Sequence, residues 1–527
     1  MTNAPTAPAG NTRLSLVLAA AMFVLVVDTS LMNVSIAAVV RDLDTTVSAV
    51  QSAIALEALV SAAFILISSK VGDLFGRKRA YIVGLLAYAI GALAMTLAQS
   101  ITAIIIFWAI IGGLGASLLL PAMQSLVHGN FEGAAQKKTY ALIGAAAAIA
   151  AAVGPLLGGF VTTYLSWRVG FLLEVVVIAG VLSQIGLVKD VPYTGDRKAD
   201  LPSAGLSVLG MGGVVLGILV WQEGGDYVLL LIAIGALALW ALSHRLVRRH
   251  RDGKVTLLDP ELFRLPHFRA GITGQMLQNV MLGGAMISLP IFLQIKLEYD
   301  AMQTGLSLAP LSLTMFFVAI RAGRKSGRRR PAEIIRAGFA LSMLGLVLIV
   351  PIVSRADSGW YLVIPLMITG AGLGLLVSQL NNYALAPIDD DRISEAAGIN
   401  SAAGSFGLSF GLAVAGGVLL ATLSLAFTNM TNASPVIPST QQQQIAQTLE
   451  DDAQVVSNTQ LEKLLAEEPP AVQEAILGIN VDATNLALQV ALLVPILAGF
   501  LGLLDAMRMI RLPDIKPSAS VEAAALA

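Results

Sequence analysis

The chain of 527 residues contains no cysteine. Disulfides, thiolate metal sites and thiol nucleophiles are therefore excluded. Histidine is scarce as well: His128, His244, His250 and His267 all fall in or beside loops between apolar segments. No histidine proton relay can run through those segments. Charged residues make up only 13% of the chain and nearly balance, at a net −1, which leaves no basic excess to hold nucleic acid. No His, Cys and carboxylate constellation suggests an enzyme, and neither a cofactor nor a metal site is expected.

What the chain has in abundance is hydrocarbon. It is 56% hydrophobic with a mean hydropathy of +0.77, beyond what a soluble protein of this length reaches. A membrane-spanning helix needs about 20 largely apolar residues. Apolar helical segments occur near 14–38, 48–69, 80–99, 102–124, 139–163, 169–188, 203–221, 227–245, 269–294, 304–322, 333–353, 360–384, 394–428 and 482–509. Fourteen spans are expected, in an all-α integral membrane protein. The first segment is too long for a signal-peptide core and reads as a retained span.

Basic residues set the expected orientation. With both termini cytoplasmic, only Arg41, Arg168, Lys296, Arg355 and Lys463 of the 33 Lys and Arg fall outside. That bias fits the positive-inside rule for a multi-pass plasma (inner) membrane protein. Trp167, Trp221 and Trp360 then mark the outer interface and Trp240 the inner one. The run Arg248–Lys254 anchors that topology or contacts anionic lipid.

Two loops are alike. Val71–Arg79 reads VGDLFGRKR and Ala322–Arg330 reads AGRKSGRRR, each a G-x-x-x-G followed by three basic residues between long apolar stretches. A chain repeated in this way is built from two similar halves, the architecture of secondary transporters. The expected divisions are a six-helix bundle at 1–190, an inserted helix pair with its linkers at 191–268, and five helices of a second bundle at 269–428. An acidic insertion outside the membrane, 429–481, and a last helix with its tail, 482–527, complete the chain. The insertion carries QQQQ and then seven acids against one lysine. Helical spacing at 460–466 and 471–477 suggests a small cap, while its polarity equally suits a solvated loop.

Polar groups that persist in hydrocarbon are the functional candidates, because each is costly to keep there. Asp28 lies mid-way along the first segment, Glu57 about 14 Å into the second, and Glu174 in the outer part of the sixth. Hydrocarbon penalises charge, so such carboxyls can couple protons to a solute, or stay neutral as structural hydrogen-bonding groups. Gln275, Gln278 and Asn279 share a face of the ninth segment, and Asn382 sits with Asn381 in the twelfth. These, with Asn33 and Gln294, line a cavity or bond neighbouring helices. Gly154, Pro155, Gly158 and Gly159 form a gate or simply a tight packing surface.

These motifs resemble the major facilitator superfamily, specifically its fourteen-span drug:proton antiporter branch. The resemblance covers nearly the whole chain. It is carried by Gly72-Asp73-Leu74-Phe75-Gly76-Arg77-Lys78-Arg79, by Asp28-Thr29 with Asn33-Val34, by Gly154-Pro155 with Gly158-Gly159 ahead of Ser166-Trp167-Arg168, and by Leu289-Pro290 with Gln294 and Gly305. It implies the major facilitator fold: two six-helix bundles plus two inserted helices. It also implies that Gly72, Asp73, Gly76, Arg77 and Lys78 form a latch between bundles. The chain departs from the family's pattern at Ala109, where the fourth span usually has an arginine, at Glu57 for a tyrosine, at Glu174 for an asparagine, and at Ala141 and Ala150 for glycines. A coupling site rearranged around Asp28 and Glu57 is expected.

The function expected is proton-coupled efflux of amphipathic, cationic drug-like compounds. Export of a native lipid or metabolite is the alternative, with a non-transporting receptor displaying the acidic loop as the rival from another class. The partners expected are the small amphipathic solute, protons and the lipid bilayer, without nucleic acid, for a chain acting as a monomer.

Overall fold

The computed structural model describes residues 12–131, 133–190, 200–222, 225–254, 256–324, 329–389, 392–437, 459, 461–462, 465–466 and 469–513. Among them there is no strand. The helices are α1 (Thr12–Leu43), α2 (Val47–Phe75), α3 (Arg77–Leu97), α4 (residues 101–130), α5 (Gly133–Tyr164), α6 (Trp167–Ser183) and α7 (Leu201–Gln222). They continue with α8 (Val228–Arg251), α9 (Pro266–Lys296), α10 (Ala301–Arg324), α11 (Pro331–Arg355), α12 (Gly359–Leu385), α13 (Ile393–Ala433) and α14 (Pro470–Ile510). Thirteen are long and apolar enough to cross a membrane, and α6, at 17 residues, is at the lower end of spanning length.

Local chemistry sets where these helices start. The side chains of Thr46, Ser100 and Ser166 accept from the first free backbone N–H groups of α2, α4 and α6. Pro266, Pro331 and Pro470 open α9, α11 and α14, where a missing N–H costs nothing. Helix α14 begins twelve residues before the apolar segment read at 482, so the apolar spacing at 471–477 belongs to it. At about 1.5 Å per residue, the 41 residues of α13 and of α14 each reach ~60 Å, twice the hydrocarbon thickness. Both therefore extend well past the bilayer core. The QQQQ stretch lies outside the described residues.

The pairing of helices repeats with a shift of eight. Helix α1 packs on α5 and α6 as α9 packs on α13 and α14. The α3 contacts with α4 and α6 match those of α11 with α12 and α14, and α2·α4 matches α10·α12. Two seams join the halves, α2 against α13 and α5 against α10, and the same shift exchanges them. The α7–α8 pair packs on the first seam, with α7 touching both α2 and α13.

Helix α5 reaches two neighbours through its small residues. Cβ atoms at Gly154 and Gly158 would collide with Ser30 and Leu31 of α1, at 2.5 and 2.9 Å. On the other side, a Cβ at Gly305 of α10 would lie 2.2 Å from the Pro155 carbonyl, and one at Gly159 would lie 2.5 Å from the Ala301 carbonyl. Only hydrogen fits where the two backbones meet. We expect Gly305→Val to destabilise the purified protein by about 1–3 kcal/mol. Gly180→Ala, at a position with nothing within 4 Å, should leave the melting point the same or slightly higher. An unchanged melting point for Gly305→Val would show that the seam is loose.

Asp200 ties the inserted pair together at the start of α7. Its buried carboxylate accepts from Ser203 Oγ and pairs with Arg245 at 3.1 Å and Arg249 at 3.0 Å on α8. Burial pushes its pKa up, but the Ser203 hydroxyl and the two guanidinium groups outweigh this and hold it below the ordinary 3.8. Because the folded value is the lower one, this stabilisation is complete above about pH 4 and is lost as pH falls through the folded value. The melting-point gap between wild type and Asp200→Asn should be constant from pH 5 to 8 and close below pH 4. A gap that persisted in acid would argue against an ionic tie.

Candidate functional site

Asp28 is held inside the first half. It lies on the buried face of α1 and is 1% exposed. The Tyr88 hydroxyl on α3 donates to its Oδ2, and the Trp108 indole N–H on α4 donates to both oxygens, at 3.0 and 3.1 Å. Helix α4 is widened into π-helical turns over Ile104–Gly112, the stretch that carries Trp108. The ring of Trp108 meets Phe171 edge-on at 6.3 Å, and Phe171 meets Trp167 at 6.1 Å, so the indole is fixed by packing as well as by its bond.

The three carboxyls read from the sequence come together. Glu57, half-buried on α2, and Glu174, 3% exposed on α6, are both close enough to Asp28 for its charge to act on them. Tyr88 lies within electrostatic reach of all three. Both oxygens of Glu174 are buried without a hydrogen-bond partner. No lysine or arginine pairs with any of the three acids among the described residues. At Ala109, where the family pattern has an arginine, the methyl group is fully buried and the neighbouring Trp108 supplies the donor that reaches Asp28.

Tyr88 and Trp108 carry no charge, and the other four tryptophans lie at span ends, so neither charge nor hydropathy in the sequence singles out these two donors. The available signal was a tryptophan amid IIIFWAII, too deep in an apolar run to sit at an interface.

Gln294 crosses between halves. Its Oε1 accepts from the Ala37 N–H at 2.8 Å, and its Nε2 donates to the Asn33 carbonyl at 3.2 Å. Those two backbone groups are four residues apart on α1, the spacing at which a helix bonds to itself, so the carboxamide engages both ends of one rung. The Asn33 side chain donates to the Thr29 carbonyl, with Oδ1 buried and unpartnered. Gln275 and Asn279 face α13, each about 3.5 Å from where a Cβ at Gly404 would sit. Gln278 is buried with Oε1 unpartnered, and so is Oδ1 of Asn382. This polar set belongs to α9 and α12, in the half that does not carry the acids.

In the basic loop, Gly76 takes a φ of +100°, open to glycine, and its N–H returns to the Gly72 carbonyl at 3.1 Å. Asp190, just beyond α6, accepts from the Lys78 backbone N–H at 3.1 Å, at the positive end of α3. The described contacts of Gly72, Gly76 and Lys78 thus lie within the first half, and Arg77 opens α3. The Asp73 side chain lies outside the described residues. His250, Asp259 and Glu261 gather at the α8–α9 linker, where the Arg392 guanidinium already sits on Asp259.

Two pseudo-equivalent helical halves, joined along two seams, with carboxyls buried within their helices, define a multi-pass membrane transporter. The chain belongs to the Major Facilitator Superfamily, whose model matches residues 18–412. It is 25% identical over 399 residues to the probable actinorhodin transporter of Streptomyces coelicolor, covering 74% of this chain and 69% of that one. It is 28% identical over 410 residues to the multidrug resistance protein Stp of Mycobacterium tuberculosis, covering 76% and 75%. In three dimensions it resembles a bacterial homolog of the human lysosomal transporter Spinster, with a TM-score of 0.61, 13% identity, and 97% and 100% of the two chains covered.

The donors to Asp28 can be tested by a cycle of substitutions. Tyr88→Phe and Trp108→Phe each strip a buried acceptor of a partner, at about 1–3 kcal/mol. Each should lower the melting point in the wild-type background and cost much less beside Asp28→Leu, which has no acceptor to strand. Equal losses in both backgrounds would assign the two aromatics to packing alone.

Proposed function

We propose that this transporter is a proton-driven antiporter that exports amphipathic, cationic compounds across the plasma (inner) membrane. In this reading the chain works as a monomer, with its basic end and both termini in the cytoplasm, as 28 of its 33 basic residues favour. The observation that carries the reading is the presence of three carboxyls, Asp28, Glu57 and Glu174, within the helices of one half, with no lysine or arginine paired to them among the described residues. Carboxyls in hydrocarbon accept either a proton or a lipophilic cation, and one site that takes either in turn exchanges them.

Energetics allow it. At a potential of roughly 150 mV, one inward proton supplies about 3.5 kcal/mol, enough for a solute gradient of a few hundred-fold. The polar set of α9 and α12, Gln275, Gln278, Asn279 and Asn382, with Asn33 and Gln294 where the halves meet, would orient the solute's polar groups in this scheme. Names among the relatives agree with efflux, since one is called a multidrug resistance protein. A relative named as a probable actinorhodin transporter favours a second reading, in which the solute is a product of the cell itself.

Both readings can be tested in inverted membrane vesicles under an imposed pH gradient. With Asp28→Asn, proton-driven uptake of a lipophilic cation should fall to background at unchanged protein level, because the amide keeps the shape and cannot titrate. Glu57→Gln should change the pH profile of cation binding. Full transport by Asp28→Asn would remove the coupling assignment. Transport of neutral solutes but no cation would replace the cationic substrate class.

A further inference from the structure

The inserted pair α7–α8 has no counterpart in either six-helix half, and it lies against only one of the two seams. That position makes the seams unequal. Along α5 and α10 the halves meet backbone to backbone at Gly159 and Gly305, with a single described hydrogen bond, from the Met302 N–H to Thr163 Oγ1 at 2.9 Å. The α2/α13 seam is tied directly by Ser409 Oγ of α13, which donates to the Ala55 carbonyl of α2 at 2.7 Å. It is tied a second time through α7.

Gln222, the last residue of α7, makes that second tie. Its Oε1 accepts from Ser52 Oγ on α2 at 3.3 Å, and its Nε2 donates to the Ala413 carbonyl on α13. One buried carboxamide thus bonds both halves at once, 6% exposed. Its place is prepared: Cβ atoms at Gly416 and Gly417 would come within 2.7 Å of the Gln222 amide nitrogen and of the Trp221 ring. At the other end of the pair, Ala204, Leu242 and Leu246 share an apolar cluster with Ile65 and Leu66 of α2 and with Ala396 and Ala402 of α13. The α7–α8 pair, stiffened by Asp200, therefore grips both helices of this seam near both ends.

We propose that the inserted helix pair is a strap across the α2/α13 seam, and that Gln222 is the positioning residue that sets how readily this seam parts while the halves move. If α2 and α13 separate, the carboxamide must release at least one partner. An interhelical hydrogen bond in a membrane shifts a two-state ratio by roughly three- to twentyfold. The glycine-lined α5/α10 seam has no such strap, so Gln222 should leave it unaffected.

The absence of cysteine makes the test free of background labelling. Two single-cysteine reporters are needed in the purified full-length protein. Ala55→Cys, at a buried position whose carbonyl still receives Ser409, reads the α2/α13 seam, and Thr304→Cys, the fully buried neighbour of Gly305, reads the α5/α10 side. Gln222→Ala should speed maleimide labelling at the first by roughly three- to twentyfold and leave the second unchanged. Gln222→Met, close in shape but without donor or acceptor, should act in the same direction. Ser52→Ala, a milder change, should raise labelling by a smaller factor and add little on top of Gln222→Ala. Labelling that is unchanged at both reporters, or raised equally at both, would overturn the strap, since the latter is general loosening. None of these readings depends on proton coupling or on the solute, so this proposal can fail while the antiporter reading stands, and the reverse.

Discussion

A carboxylate in hydrocarbon must find donors or give up its charge, and much of this molecule is arranged around that requirement. Asp28 meets it with two aromatic donors, Tyr88 and Trp108, drawn from two other helices. Helices α1, α3 and α4 are thereby held to one another by polar bonds in a place where apolar packing alone discriminates poorly between partners. Glu57 and Glu174 enter the same neighbourhood without comparable donors, Glu174 with both oxygens unpartnered. The first half holds these three acids, and the second presents carboxamides together with the buried carboxyl of Asp505 on α14.

The two halves meet by contrasting means. On one side, glycines bring α5 and α10 to backbone contact, and beside them Gln294 bonds one rung of α1. On the other, hydroxyls and a carboxamide cross between α2 and α13, and an extra helix pair covers the junction. A repeat that is symmetric in its helix pairing is thus made asymmetric by an insertion. Rigid-body rocking of such halves meets different resistance on its two sides.

Much of the architecture was legible in the chain because a bilayer imposes a length on every span. Fourteen apolar segments correspond to fourteen helices, and the duplicated basic loops fall after the second helix of each half. Asp28, Glu57 and Glu174 stood out for the same reason, since charge within an apolar run is costly. Helix ends were less legible where α13 and α14 leave the hydrocarbon: beyond the membrane, apolar content no longer marks a helix, and α14 runs on to Pro470.

What the sequence by itself determined is the list of spans, the two-fold repeat and the identity of the buried acids, all of which follow from the cost of polar groups in lipid. Which groups answer those acids was decided only in three dimensions. Tyr88 and Trp108 are ordinary members of apolar runs, and Gln222 an ordinary residue at the end of one, until helix packing aims them. A hydrogen bond between helices depends on rotation and depth, and neither is encoded in hydropathy. The tertiary structure alone therefore shows that a tyrosine and a tryptophan from two other helices answer Asp28 and that an inserted helix is bonded to both halves.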